Sequence, residues 1–497
     1  MTRPGHTIGD TVAWIGLVCG PLFALGAYLA LHELDHPARA TAAMAVWMAT
    51  WWLTEAIPLS ATALLPLAFL PLAGVADLRA AAGPYANPLI LLFFGGFVLG
   101  LAMERCDLHR RIALITLRLV GTSPPRLVAG FMLATALMSM WVSNTATALL
   151  MLPIAVSVLA QLTDGAPEPD IAEGRRTGAN FARCLLLGIA YAASVGGVAT
   201  LVGTPPNLVL AAFLDDQFGT DLSMARWMLV MVPTAAVFIP LIWLGLTRVI
   251  YPIRVDAIPG ARELVRDRLS ALGPMSRAEW TVFTVFLCTA LLWMTRPLIN
   301  DLGDSVGWAP LASLGDPTIA ALAALSLFVI PTNARKRTFA MDWTTAERVP
   351  WGILILFGGG LSLAASISTT GLDASIGESM TGLRGVHPLV AILTVTAAVV
   401  FLTELTSNTA MATAAMPVLA AAAPAIGVEP ERLLIPAAIG ASFAFMLPVA
   451  TPPNAIIFGS GRIRIADMAR AGFAFNLLGI VLATAVAYLA TDLILPS

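Results

Sequence analysis

The chain has 497 residues, 58% of them hydrophobic and 12% charged, with a formal net charge of −2 at pH 7 and a mean hydropathy of +0.84. That balance leaves too little polar surface to cover a water-soluble fold of this size, so it excludes a soluble globular protein and predicts a polytopic membrane protein. Four scattered cysteines (Cys19, Cys106, Cys184, Cys288) form no CxxC pair, and the five histidines have no metal-ligand spacing, so neither disulfide nor zinc chemistry is expected.

The N-terminus lacks the basic region, short apolar core and cleavage site of a signal peptide, so the first apolar segment, 11 to 31, is expected to stay as a helix. Further runs near the spanning length fall at 40–55, 59–75, 88–104, 184–200, 227–247, 279–295, 317–331, 349–365, 433–450 and 471–491, which makes eleven predicted transmembrane helices. Segment 104–121, rich in arginine with interspersed Ile and Leu, reads as an interfacial arm helix. Two apolar stretches, 127–159 and 387–424, do not fit as single spans. As continuous helices they would run roughly 50 to 57 Å against a bilayer core of about 30 Å, so both are predicted to be re-entrant hairpins.

Each hairpin carries a Ser-Asn-Thr near its middle, Ser143-Asn144-Thr145 and Ser407-Asn408-Thr409. Each is followed by a Thr-Pro-Pro-Asn, at Thr204 to Asn207 and at Thr451 to Asn454. A single Ser-Asn-Thr in a membrane helix is more often packing glue; duplication in register reverses that. The serines are 407 − 143 = 264 residues apart, and the same offset maps Gly95-Gly96 onto Gly359-Gly360 and Pro153 onto Pro417. The glycines suit close helix packing rather than phosphate binding.

With the N-terminus cytoplasmic, 22 of the 28 basic residues fall inside, and only Arg39, Arg79, Arg226, Arg296, Arg384 and Arg432 fall outside, beside acidic loops such as Asp301 to Asp304. Eleven spans then leave the C-terminus outside. The second copy starts on the opposite side from the first, so the repeats are inverted, with a binding site expected between them at the midplane.

At a hairpin tip, Ser and Asn offer hard oxygens to a cation, while Thr and Asn can donate to a carboxylate. Prolines in each Thr-Pro-Pro-Asn leave upstream carbonyls free and start a half-helix whose positive end points at the site. Neither motif contains Lys or Arg, so a bound anion needs helix termini and bound cations to balance its charge. Neutral oxygens suit a monovalent hard cation, which makes sodium the expected coupling ion, with no organic cofactor. Glu404 reads as a structural carboxylate capping nearby N–H groups rather than a proton relay, Glu55 and Glu104 as interfacial, and Trp47, Trp51 and Trp52 as membrane-interface anchors. A channel would need a continuous polar file, whereas polarity here gathers at four breaks, and an intramembrane enzyme would need a nucleophile, a metal pair or HExxH, none of which is found.

Ser143-Asn144-Thr145-Ala146-Thr147 leading to Met151-Leu152-Pro153, then Gly196-Gly197 through Gly203-Thr204-Pro205-Pro206-Asn207, and Thr403-Glu404 before Ser407-Asn408-Thr409, resemble the divalent anion:sodium symporters, which include INDY-type di- and tricarboxylate carriers. The resemblance covers nearly the whole chain and departs from the pattern at Pro448. It implies a homodimer of eleven-helix protomers, each an elevator of scaffold and transport parts, with two sodium sites. The first would use Ser139, Ser143, Asn144 and the Gly203 carbonyl; the second, Thr403, Ser407, Asn408 and the Ala450 carbonyl. Substrate carboxylates would meet Asn144, Thr145, Asn408 and Thr409, with Thr204 and Thr451 nearby.

The division expected is 1–126 first scaffold segment, 127–248 first transport segment, 249–278 cytoplasmic linker, 279–386 second scaffold segment and 387–497 second transport segment. The expected function is sodium-coupled import of succinate, malate or fumarate across the inner (plasma) membrane. Alternatives are a sodium-independent dicarboxylate or 2-oxoglutarate exchanger and a citrate or sulfate symporter. The expected partners are a small-molecule anion and the bilayer, with no nucleic acid.

Overall fold

The computed structural model describes residues 8–121, 123–164, 171–254, 260–306, 314–379 and 385–495. Expectations for Arg3, His6 and Arg384, and for part of the 249–278 linker, lie outside these residues. Among the described residues, eight helices are long and apolar enough to cross a membrane. Seven coincide with predicted spans, and the eighth, Asn408–Ile426, is the second arm of the second hairpin. Asp301 to Asp304 lie within the helix Arg277–Val306 rather than in a loop.

Both long polar-centred stretches fold as broken pairs of helices. The first runs Pro124–Ser139 and then Asn144–Asp164; the second runs Pro388–Thr403 and then Asn408–Ile426. Proline opens the first arm of each, where its missing N–H would be unsatisfied anyway. The copies match residue for residue at this level, since 388 − 124, 403 − 139 and 408 − 144 all equal 264.

Behind each hairpin stands a broken helix. Ile171–Val198 stops and resumes as Pro205–Phe218; Glu431–Ala441 stops and resumes as Pro452–Gly459. Here the offset is 452 − 205 = 247, so the second copy is shorter by 17 residues between tip and break.

The third predicted span, 59–75, is not one helix. It divides into Leu59–Thr62 and Leu65–Leu72, with prolines at 58 and 66 marking the starts. The turn frees the Ala63 carbonyl, which accepts the Tyr85 hydroxyl. Against the same carbonyl lies Gly359, in the helix Trp351–Thr369. Its counterpart Gly95, in Pro88–Arg105, lies against Ala320, where a Cβ would stand 2.5 Å from the carbonyl oxygen. Ala320 belongs to Asp316–Val329, in the other repeat. Each repeat thus seats a glycine face on backbone of its twin, and the halves interlock.

The arm helix spans Leu108–Val120, set off from Pro88–Arg105 by a turn in which Asp107 has φ 57°. One face is more enclosed than an interfacial helix requires: Arg111 is buried and pairs with Glu279 at 2.6 Å, its other guanidinium nitrogens reaching the Gly273 carbonyl at 2.9 Å and the Leu272 carbonyl at 3.3 Å. Glu279 also accepts the Ser276 N–H at 2.7 Å while the Ser276 hydroxyl accepts the Glu279 N–H at 3.2 Å, a reciprocal capping box at the start of Arg277–Val306. One buried ion pair therefore fixes the arm, the linker and the first helix of the second half together.

Candidate functional site

The two tips and the two breaks converge on a single cavity of about 750 Å³. All six residues expected to meet substrate line it: Asn144, Thr145, Thr204, Asn408, Thr409 and Thr451. So do Ser143, Gly203, Ser407 and Ala450 from the expected cation sites. Ser139 and Thr403 stand fully buried at the ends of the first arms.

At the first tip the Ser139 hydroxyl reaches both Asn144 Oδ1 and, at 2.7 Å, the Ala193 carbonyl. One hydroxyl hydrogen serves one acceptor at a time. When it points to Ala193, the Ser139 lone pairs and Asn144 Oδ1 are left facing each other, an arrangement that a small cation satisfies. Gly197 and Gly203 bring backbone to the same spot, since a Cβ on Gly197 would lie 2.7 Å from Asn144 Oδ1 and 3.1 Å from the Gly203 carbonyl oxygen. The second tip repeats the pattern: Thr403 Oγ1 reaches Asn408 Oδ1 at 2.8 Å and the Ala441 carbonyl at 3.1 Å. These donor sets, hydroxyls, amide oxygens and carbonyls without carboxylate in the ring, fit sodium.

The tips also offer hydrogen-bond donors. In the helix Asn144–Asp164 the Ala146 N–H goes to Ser143 Oγ at 3.2 Å and the Thr147 N–H to the Ser143 carbonyl at 3.0 Å. The first two N–H groups, of Asn144 and Thr145, are left to the cavity. Asn408–Ile426 begins with the Met411 N–H on the Ser407 carbonyl at 2.8 Å, without a serine side-chain cap. Two helix N-termini, each with free donors and the positive end of a macrodipole, thus face one space.

In the Thr-Pro-Pro-Asn motifs the asparagine closes the break. Asn207 Nδ2 donates to the Thr200 carbonyl at 2.8 Å and the Val198 carbonyl at 3.2 Å; Asn454 Nδ2 donates to the Leu447 carbonyl at 3.0 Å and the Ala444 carbonyl at 3.1 Å. Each ties the end of one half-helix to the start of the next. The two prolines remove N–H donors from the Pro205–Phe218 and Pro452–Gly459 starts, so these ends contribute field more than hydrogen bonds.

Glu404 caps N–H groups, as expected from sequence. Its carboxylate accepts from Phe445 at 2.7 Å, Met446 at 2.8 Å and Leu447 at 2.9 Å, and from Asn476 Nδ2 at 2.8 Å.

Sequence reasoning missed the mouth. Glu55, Glu104 and Arg348 also line the cavity, and Arg348 Nη2 stands 3.5 Å from Glu104 Oε2. Neighbouring Arg105 pairs with Asp342 at 2.5 Å. The Thr345 N–H, with Arg105 assisting, holds the Asp342 carboxyl below its usual range. Repeat symmetry could not reveal these charges: 264 residues after Glu104 stands Ser368, and 264 before Arg348 stands Pro84. A charge abutting the end of a glycine-bearing span was the one signal the sequence carried.

Residues 28–494 match the family described as Sodium:sulfate symporter transmembrane region. The chain is 42% identical over 480 residues to the sodium-dependent dicarboxylate transporter SdcS of Staphylococcus saprophyticus, covering 95% of this chain and 90% of that protein. It is also 42% identical over 484 residues to SdcS of Staphylococcus aureus strain MSSA476, covering 97% and 92%. Two solved structures share the fold. The YdaH transporter of Alcanivorax borkumensis aligns with a TM-score of 0.55 at 18% identity, over 91% of this chain and 98% of its own. MtrF of Neisseria gonorrhoeae aligns with 0.59 at 14% identity, over 97% and 98%.

Proposed function

This chain belongs to the sodium:sulfate symporter family, and from that premise we propose that it is a sodium-coupled secondary transporter importing C4-dicarboxylates such as succinate, malate and fumarate. The observation that carries this is the pairing, twice in one cavity, of a neutral oxygen cluster with a helix N-terminus. A dianion entering that space finds N–H donors at both tips and, next to each, a place for one cation. Without the cations its charge would be poorly compensated, because the tips carry no basic side chain; with them, the loaded cavity approaches neutrality.

The moving unit would comprise both hairpins, both broken helices, Met224–Leu244 and Ile465–Leu489, sliding as an elevator against a scaffold of the remaining spans. The scaffold would carry the homodimer interface. The cavity mouth lies beside Glu104, Arg105 and Arg348, the end that the positive-inside bias assigns to the cytoplasm, so this conformation would be inward-facing. The N-terminus would be cytoplasmic and the C-terminus outside, in the plasma membrane.

In proteoliposomes, labelled succinate should accumulate down an inward sodium gradient and fail to do so when choline or potassium replaces sodium. Equal uptake in all three would remove symport and leave exchange. Asn144→Ala and Asn408→Ala should each delete a cation ligand together with a substrate donor. A loss of about 1 to 3 kcal/mol per variant corresponds to roughly 5- to 150-fold weaker sodium-driven uptake. Parent-like transport in both would place the site elsewhere.

A further inference from the structure

Glu404 immediately follows Thr403, the residue whose hydroxyl reaches Asn408 at the second tip, and it is 3% exposed. Four N–H donors and no acceptor face its two oxygens, a set that suits a carboxylate anion. Among the described residues no Lys, Arg or His side chain stands within ion-pairing distance of it. Three of the donors are consecutive backbone groups, Phe445 to Leu447, which lead directly into Ala450 and Thr451 on the cavity wall.

The first repeat is built otherwise. The position 264 residues earlier is Met140, and the break there is clipped by neutral groups: Thr200 Oγ1 donates to the Met140 carbonyl and accepts the Gly203 N–H at 3.0 Å. Two tips that are alike in their hydroxyl and asparagine therefore differ by one buried formal charge.

We propose that Glu404 is a positioning residue that makes the second tip the tighter of the two sodium sites, and hence the first to fill. The inference rests on the sodium-coupled reading above. Glu404 acts in two ways. It holds the segment that leads into the Ala450 carbonyl, and it places a negative charge, with no ion-pair partner among the described residues, on the residue next to Thr403 in the chain. In a buried environment such a charge favours a nearby cation strongly, on the order of tenfold or more in affinity. Sodium drawn there by that charge would order the tip before the anion arrives.

The test is succinate uptake by proteoliposomes as a function of sodium concentration, for the parent, Glu404→Gln, Glu404→Asp and Asn476→Ala, with the succinate KM measured at saturating sodium. Glu404→Gln removes the charge and keeps the shape and the three bonds on one oxygen, losing only the Leu447 N–H bond that an amide nitrogen cannot accept; it should raise the half-saturating sodium concentration about tenfold while leaving the succinate KM at saturating sodium near the parent value. Glu404→Asp and Asn476→Ala keep the charge and lose contacts; both should stay within about threefold of the parent for sodium, whatever their maximal rate. A Glu404→Gln variant that lowers only the maximal rate has lost support alone, and the inference falls. If Glu404→Gln does not fold, a tenfold sodium shift in Glu404→Asp or Asn476→Ala would overturn the charge argument by itself. Parent uptake that ignores sodium would instead bring down the sodium-coupled reading, and this inference with it.

Discussion

Gly203→Ala should reduce sodium-driven uptake by roughly 100-fold in a protein that still inserts and purifies normally. A methyl group at this position would press on the Gly197 carbonyl, 3.0 Å from the Gly197 Cα and 3.0 Å from the Met140 carbonyl oxygen. All three neighbours are backbone, so no rotamer change relieves the overlap. Overpacking of this kind costs about 1 to 3 kcal/mol, and here it displaces the Gly197–Gly203 backbone junction that packs next to Asn144. Gly197→Ala should behave alike for a related reason: its methyl would meet Asn144 Oδ1 at 2.7 Å and Nδ2 at 3.1 Å, and relief would come only by moving the tip amide. Sodium titrations of uptake, with protein recovered from size exclusion as the control for folding, decide the matter. Parent-like uptake by both alanine variants would show that this backbone junction is no part of the site.

The other large effect concerns assembly rather than transport chemistry. Removing either partner of the Arg111–Glu279 pair leaves the other charge buried with side-chain exposure near 9% or 6%. Breaking such a pair typically costs about 3 to 5 kcal/mol, because the stranded ion keeps its desolvation penalty. Arg111→Ala and Glu279→Ala should each markedly lower the thermal midpoint of the detergent-solubilised protein, and Glu279→Ala should lose the Ser276 capping box as well. The double variant Arg111→Met/Glu279→Leu should regain much of the loss. Equal melting of single and double variants would mean that the cost lies in packing rather than in the unpaired charge.

Much of the candidate site was legible in the sequence because its motifs were written twice. Ser143-Asn144-Thr145 and Ser407-Asn408-Thr409 share a register set by helix starts at Pro124 and Pro388, and a polar motif repeated inside apolar sequence is hard to reconcile with chance or with packing alone. The features that escaped are those without a twin. Glu104 and Arg348 have Ser368 and Pro84 at the corresponding positions, so duplication could not lift them above interfacial noise. The backbone N–H donors gathered by Glu404 come from residues 41 to 43 positions away and its side-chain donor, Asn476, from 72, a pairing made by the fold alone. Hydropathy also misjudged 59–75, because an average over a window cannot register that prolines 58 and 66 and the approach of Gly359 divide the run into two short helices.

The interlocking of the repeats governs how the chain can be made. Gly95 leaves the ribosome with its flat face uncovered, and the backbone that covers it, at Ala320, follows 320 − 95 = 225 residues later. At typical elongation rates of roughly 5 to 20 residues per second, that is on the order of 10 to 45 seconds of waiting in the bilayer. The partner of Gly359 is already present when it emerges, since Ala63 was synthesised long before. The amino-terminal half is thus an unfinished object until the carboxy-terminal half arrives. A nascent chain stalled before residue 320 would present an exposed small-residue helix face to chaperones and membrane proteases, so biogenesis has a single late commitment point rather than two independent ones.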